Sequence, residues 1–327
     1  MKHNKQRRQT SMASSKPAAT AEKPVVGVIG LGIMGGEMAE ALLREGYRVT
    51  GYDPASAARA RLKKAGGRAL GSSTAVAESA EIIITSLASA AALRDAQQKI
   101  AAVKKPLKNG QKRIVIETST LPIADKEAAQ KALQKAGIVT LDCPISGTAV
   151  RMKERTWNIY VSGPQAAVKR AMPVLGVFAE VRPYVGAFGN GTKFKFVANH
   201  LVAIYNVAYG ESITFARKMG LDGQQVYDLL AASGVLSTGV LRLRMAMMAK
   251  RQFTPPTMKV EVWQKDMQVI GDMAKAVDCP TPLFTNCVPI YNAAMAQGLA
   301  LEDTAAVAEV MGAAAGLPPK GGKRARK

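Results

Sequence analysis

The chain has 327 residues, of which 48% are hydrophobic and only 5% aromatic, and it carries a formal net charge of +21. This length and composition allow a large buried core in two domains and exclude a chain that is disordered as a whole. Three cysteines without C-x-x-C spacing and two histidines argue against a disulfide framework and a metal site, so we expect no metal and a reducing, cytoplasmic location.

Basic tails begin and end the chain. Residues 1–24 and 318–327 each carry a net charge of +5, and such segments are typically solvated and disordered. No nucleic-acid recognition motif accompanies the charge, so we expect no specific nucleic-acid site. No apolar run reaches membrane-spanning length, and the first tail lacks the apolar stretch of a secretory signal. We therefore expect no membrane association.

Short apolar strands and helices alternate in the first half of the chain. The predicted strands are 25–29, 47–53, 81–87, 113–120, 137–145 and 180–185, with an alternating segment at 157–163. The predicted helices are 34–45, 57–66, 90–103, 122–136 and 164–178. This alternation indicates an α/β fold with a Rossmann-type doubly wound parallel sheet, which we assign to residues 25–186.

The pattern changes after "GAFGNG" at 186–191. From about 192 to 316 the chain shows long helical segments and no convincing strand. We expect an all-helical C-terminal domain at 187–317, whose first helix runs from about 192 to 218.

A glycine row follows the first predicted strand and opens the first predicted helix. Gly30, Gly32 and Gly35 have G-x-G-x-x-G spacing, which suits a tight turn, a close approach of pyrophosphate and helix–strand packing. The alternative is an ordinary tight turn. Asp53 ends the next strand, where an acid accepts hydrogen bonds from the adenosine ribose hydroxyls. The sequence favours NAD, while Arg59 and Arg61 leave NADP possible.

Lys195 and Asn199 are four residues apart at the domain junction and therefore share a helix face. An interdomain cleft is a usual place for a substrate, and a lysine there acts as a general acid or base when its pKa is lowered. On its own, the lysine is more typical of a solvated helix face. "SGT" at 146–148 offers hydroxyls and backbone N–H groups to a carboxylate, or forms an ordinary turn. "KD" at 265–266 taken alone is typical of a surface ion pair.

Together these motifs resemble those of the β-hydroxyacid dehydrogenase family, over about residues 25–317. "GVIGLGIMG" (27–35) matches the family's fingerprint, and "DCPISG" (142–147) matches its D-x-P-x-S-G-G motif, with Thr148 in place of the last glycine. Gly191, Lys195 and Asn199 match its G-x-x-x-K-x-x-N-N stretch, with Ala198 in place of the first asparagine. Lys265-Asp266 matches its late K-D pair, and Ser119-Thr120 matches its Ser-Thr near the nicotinamide ribose. Thr148 adds bulk and a hydroxyl beside the carboxylate pocket.

The resemblance implies a role for each matching position. Lys195 is the general acid/base of an NAD(P)-dependent dehydrogenase acting on a short, 3-hydroxyisobutyrate-like 3-hydroxyacid. The implied substrate-binding residues are Ser146, Gly147, Thr148 and Asn199. The implied cofactor-binding residues are Gly30, Leu31, Gly32, Ile33, Met34, Gly35, Asp53, Leu87, Thr120 and Lys265. A homodimer or homotetramer is expected by analogy.

Two alternatives stay open at this level. The same site would serve a reductase of glyoxylate or of a short semialdehyde. A protein of a different class would keep the nucleotide-binding fold and lose catalysis, although the lysine and the glycine row are both intact.

Overall fold

The structure is a computed structural model that describes residues 23–107, 110–147 and 156–319. Within these residues the strands are Val26–Ile29 (β1), Val49–Tyr52 (β2), Arg68–Ala69 (β3), Ile82–Thr85 (β4), Ile114–Glu117 (β5), Val139–Asp142 (β6), Ile145–Ser146 (β7) and Asn158–Ile159 (β8). The first six helices are Ile33–Arg44 (α1), Ser56–Lys64 (α2), Ser73–Ser79 (α3), Ala90–Ala101 (α4), Ile123–Lys135 (α5) and Gln165–Leu175 (α6). The later helices are Asn190–Lys218 (α7), Gly223–Ala232 (α8), Ala246–Lys250 (α9), Val260–Ala276 (α10), Pro282–Ala296 (α11) and Val307–Ala314 (α12).

Six strands form one sheet in the order β3-β2-β1-β4-β5-β6, and every pairing is parallel. The chain starts at the centre of the sheet with β1, builds outward through β2 and β3, and then crosses to β4 on the other side. This is a doubly wound Rossmann topology, whose ligands bind outside the carboxyl ends of the strands near the crossover. The predicted fold class is confirmed, and the crossover between β1 and β4 fixes where the site lies.

The central strands are apolar over their whole length because helices cover both faces of the sheet. All four residues of β1, of β4 and of β5 are buried. From α7 onward the structure is helical, with a second apolar core around Trp263, Phe284 and Tyr291. Helix α7 spans 29 residues and packs on α10, α11 and α12, so it is the axis of the helical region.

The structure differs from the sequence-based elements in two places. The predicted strand 180–185 is not a strand, and only isolated bridges at Val181 and Tyr184 connect it to the segment around β8. Pro183 lies between them and has no N–H to donate, so a continuous ladder cannot form. The short elements β3 and α3 were not predicted, because β3 has only two residues and α3 only seven.

The described residues contain neither a membrane-spanning helix nor a metal-binding cluster of side chains. None of their helices has both the length and the apolar character needed to span a bilayer. None of their His, Cys, Asp and Glu side chains form a group of three placed to hold a metal ion.

Candidate active site

The turn between β1 and α1 has the geometry that its glycines predict. Gly30 has φ of +87°, and an added Cβ would lie 2.1 Å from the backbone oxygen of Ser86. A Cβ on Gly35 would lie 1.9 Å from the backbone oxygen of Gly30. A Cβ on Gly32, in contrast, would meet no atom within 4 Å. The fold therefore requires Gly30 and Gly35. Gly32 is not required by the fold, and its lack of a side chain leaves free space beside the turn.

That open space faces the start of α1, which suits an anion. Gly32 is the N-cap of α1, and it has no side chain to cap the first turn. The first turn also contains no acidic residue. Unsatisfied N–H groups and the positive end of the helix dipole make such a helix start a site for phosphate. The turn thus fits the pyrophosphate of a dinucleotide.

Asp53 connects this turn to the end of β2. Its Oδ2 accepts a hydrogen bond of 2.8 Å from the N–H of Leu31, and its Oδ1 accepts one of 2.8 Å from Ala55. Each carboxylate oxygen can still accept a second hydrogen bond, as ribose hydroxyls require. Asp53 is therefore part of the turn and is more than a surface acid.

Two arginines stand beside Asp53. Arg61 donates from Nη2 to the backbone oxygens of Leu31 at 2.7 Å and Gly32 at 3.1 Å. Arg59 donates to the backbone oxygen of Asp53 at 2.6 Å. The positive charge of the two arginines would offset the repulsion between Asp53 and a 2′-phosphate. The geometry is therefore compatible with either NAD or NADP.

The other predicted cofactor residues lie at the carboxyl ends of β4 and β5. The N–H of Leu87 donates to the hydroxyl of Ser119 at 2.8 Å, and the Leu87 side chain reaches the position of a Gly30 Cβ. Lys265, on α10, donates to the backbone oxygen of Thr120. These contacts join the glycine turn, the two loops and the helical region into one continuous surface.

Lys195 is buried in α7 with only 8% of its surface exposed. Burial, the largest influence, lowers the pKa of Lys195 from its ordinary 10.5 to about 8. Asp266 opposes this shift, while the positive charge of Lys265 adds to it. By contrast, Lys193, two residues earlier on the same helix, is exposed. Lys195 is thus the helix lysine whose pKa suits proton transfer near neutral pH.

Asn199 is held one turn beyond Lys195. Its Nδ2 donates to Oδ2 of Asp266 at 2.9 Å, and Asp266 in turn pairs with Lys265 at 2.7 Å. The "KD" pair is therefore no isolated surface pair, because Asp266 is buried and orients Asn199. The second N–H and the oxygen of the Asn199 amide remain available to a substrate.

A cavity of about 300 Å³ brings the predicted substrate residues together. Lys195, Asn199, Ser146 and Gly147 all line it. Gly147 packs so closely on Trp157 that a Cβ would lie 2.4 Å from the indole ring. Thr148, the fourth predicted substrate residue, lies outside the described residues.

The cavity is also lined by residues that the sequence motifs did not identify. They are Thr156, Val202, Gly239, Val240, Leu243, Arg244, Met258 and Trp263. Arg244 is buried and paired with the fully buried Asp303. A signal for it exists in the sequence, because Leu241, Arg244 and Met245 have the spacing of one buried helix face.

Family models match almost the whole described chain. The NAD binding domain of 6-phosphogluconate dehydrogenase matches residues 25–186. A domain described as the NAD-binding domain of NADP-dependent 3-hydroxyisobutyrate dehydrogenase matches residues 189–311.

Individual proteins give the same picture. The chain is 29% identical to L-threonate dehydrogenase of Escherichia coli K12, over 87% of this chain and 94% of that one. It is 25% identical to glyoxylate/succinic semialdehyde reductase 2 of Arabidopsis thaliana, over 93% of this chain and 85% of that one. A crystal structure of 3-hydroxyisobutyrate dehydrogenase from Salmonella typhimurium superposes with a TM-score of 0.77 at 27% identity, over 88% of this chain and 99% of that one.

Proposed function

Because the chain belongs to the β-hydroxyacid dehydrogenase family and is thereby an NAD(P)-dependent oxidoreductase, we propose that it interconverts a short 3-hydroxyacid and its carbonyl form, with Lys195 as the general acid/base. The observation that carries this proposal is the position of Lys195. It is a buried lysine with a lowered pKa, and it lines a cavity next to a hydrogen-bonded asparagine.

The proton chemistry follows from the two states of Lys195. In oxidation its neutral amine takes the proton of the substrate hydroxyl, and in reduction its ammonium returns that proton to the carbonyl oxygen. Asn199 hydrogen-bonds the same end of the substrate and fixes its orientation. Ser146 and the N–H of Gly147, together with Thr148, bind the carboxylate. The nicotinamide, when bound, supplies the hydride acceptor or donor.

We assign the cofactor to the surface formed by the glycine turn and the carboxyl ends of β2, β4 and β5. The pyrophosphate would lie on the start of α1, at the space that Gly32 keeps open. The residues proposed to hold the cofactor are Gly30, Leu31, Gly32, Ile33, Met34, Gly35, Asp53, Leu87, Thr120 and Lys265. The carboxylate of Asp53 favours the ribose diol of NAD over the phosphate of NADP.

A second candidate function uses the same residues in the reductive direction. The similarity to a plant protein named as a glyoxylate/succinic semialdehyde reductase supports it. The substrate would then be a short aldehyde acid, and Lys195 would act as the acid.

We also propose that residues 25–186 and 187–317 form two domains and that the protein is a cytoplasmic homodimer or homotetramer. Helix α7 leaves large apolar side chains in solvent along its length, including Phe194 at 51%, Val197 at 63% and Phe215 at 64% exposed. An apolar stripe of this kind suits burial against a second copy.

A cofactor-linked screen tests the proposal. Purified protein is mixed with NAD or NADP and a panel of short 2- and 3-hydroxyacids, and then with reduced cofactor and the matching aldehyde acids. Turnover that Lys195→Met abolishes and Lys193→Met retains supports the function. Tight binding of reduced cofactor without any turnover would remove the proposed chemistry and leave only the nucleotide-binding fold.

A further inference from the structure

A buried lysine outside the predicted site occupies the junction between the sheet and the helical region. Lys126 on α5 is 1% exposed, in a helix whose other buried residues are apolar or small. Its Nζ donates to Oδ1 of Asp142 at 2.6 Å, to the backbone oxygen of Ser119 at 2.8 Å and to the hydroxyl of Thr192 at 2.9 Å. The ammonium therefore uses all three of its protons.

Asp142, the main partner of Lys126, caps the start of α7 from the end of β6. Its Oδ2 accepts from the N–H of Thr192 at 2.7 Å, and its Oδ1 accepts from the Thr192 hydroxyl at 2.8 Å. The N-cap residue of α7, Gly189, has no side chain to do this. Ser162 adds a second cap by accepting from the N–H of Gly191 at 3.0 Å. Asp142 and Ser162 thus supply the N-terminal caps of α7.

A second carboxylate completes the cluster. Glu117, at the end of β5, lies 3.9 Å from the Lys126 ammonium and accepts from the N–H of Ser119 at 2.7 Å. The cluster contains two acidic side chains and one lysine. The positive end of the α7 helix dipole also faces Asp142. Lys126 thus lies between the two carboxyl groups, with its ammonium 2.6 Å from Asp142 and 3.9 Å from Glu117.

The three hydrogen bonds of Lys126 reach three segments that carry predicted site residues. Ser119 precedes Thr120 in the cofactor loop. Asp142 begins the segment that reaches Ser146 and Gly147. Thr192 lies one turn before Lys195 on α7, since residues three apart share a helix face. A buried ion pair is by itself weak support for stability, so this convergence calls for another explanation.

We propose that Lys126 is a positioning residue that sets Lys195 in the active site, by joining the cofactor loop and the end of β6 to the first turn of α7. The proposal rests on the proposed function, because it assumes that Lys195 acts on the substrate. Lys126 does not line the substrate cavity, so it acts through Asp142 and Thr192.

The test compares three variants of the full-length protein. Lys126→Met removes the charge and keeps the length of the side chain. Thr192→Val removes one hydroxyl of the cluster and keeps Lys126 beside both carboxyl groups, so we expect it to fold even if the first variant does not. Lys131→Met is the matched control, because Lys131 lies on the same helix and is exposed.

Two readouts separate positioning from a merely structural role. Hydrogen exchange measures protection of the α7 backbone over residues 190–199. The pH dependence of kcat/KM for oxidation measures the apparent pKa of the general base. Burial is the main reason that the pKa of Lys195 is low, so a loosened first turn raises it. The charged groups acting on Lys195 are Asp266 and Lys265, both on α10 and unchanged in all variants.

The expected result is faster exchange at the start of α7, an upward shift of the apparent pKa, and a fall in kcat of about 10²-fold for Lys126→Met and about tenfold for Thr192→Val. Lys131→Met should match the wild type in each readout. A loss of thermal stability with unchanged exchange over 190–199 and an unchanged pH profile would overturn the proposal. If the wild type itself shows no turnover, the proposed function fails, and exchange alone decides whether Lys126 fixes α7.

Discussion

Replacing Lys195 by methionine tests the central chemical assignment. Methionine fills the buried site with an unbranched side chain of similar length, and it lacks the titrating amine. Loss of a general acid/base slows proton transfer by about 10²–10⁴-fold, or ~3–5 kcal/mol of barrier. Binding of reduced cofactor, followed by nicotinamide fluorescence, should stay within about threefold of the wild type, because Lys195 lines the substrate cavity.

The pH profile of the wild type gives the magnitude of the same effect. A pKa of about 8 in place of 10.5 raises the neutral fraction of the amine at pH 7.5 from about one in a thousand to about one in four. Oxidation needs the neutral amine, so its kcat/KM should fall about tenfold per pH unit below about 8 and level off above. Reduction needs the ammonium and should fall above about 8.

Steady-state kinetics over pH 6–10 measure both directions. Lys193→Met is the control, because Lys193 is exposed on the same helix. Turnover of Lys195→Met within about threefold of the wild type would refute the assignment. So would a wild-type inflection near 10.5, because it would indicate a solvated lysine.

Four further substitutions test the rest of the site. Asp53→Ala removes the acceptor of the ribose hydroxyls, so KM for NAD should rise about tenfold relative to that for NADP; an unchanged ratio would take Asp53 out of the ribose site. Gly32→Ala should leave the melting temperature unchanged and weaken cofactor binding in a fluorescence titration, because its Cβ meets nothing within 4 Å of the protein. Gly35→Ala, whose Cβ would lie 1.9 Å from a backbone oxygen, should instead lower the free energy of unfolding by roughly 1–3 kcal/mol in urea titrations; equal effects of the two would contradict this division. Gly147→Ala should raise KM for the hydroxyacid and spare KM for the cofactor, since its Cβ would displace Trp157 at the substrate cavity, and a purely cofactor-side defect would count against the carboxylate role.

Local chemistry explains why the sequence predicted the sheet and its glycine turn. The buried strands β1, β4 and β5 read as apolar runs because helices cover both faces. A Cβ on Gly30 or Gly35 would clash with a backbone oxygen, so these positions require glycine. The turn can therefore be predicted from residue type and spacing. The alternation of strands and helices did not predict β3, because this strand is very short. It also predicted a strand at 180–185 that does not form, because Pro183 interrupts the pairing.

The sequence predicted only part of the candidate site. Lys195 and Asn199 are on one helix face in any α-helix, which is a local property. Burial of Lys195, and thus its lowered pKa, depends on how α7 meets the sheet and α10. Without the family's motifs, the sequence favoured a solvated lysine at this position. Lys126 and Arg244 were missed because a charged residue on an apolar face is read as solvated unless its distant partner is known.

The sequence by itself determined the α/β fold class, the glycine turn and the motifs of the family, since each depends on residues close together in the chain. The tertiary structure decided which charges are buried and what they pair with. Lys126 meets Asp142 and Thr192 across 16 and 66 residues, and Asn199 meets Asp266 across 67. Pairings over such separations leave no periodic trace in the chain, because they arise only when the sheet and the helices pack together.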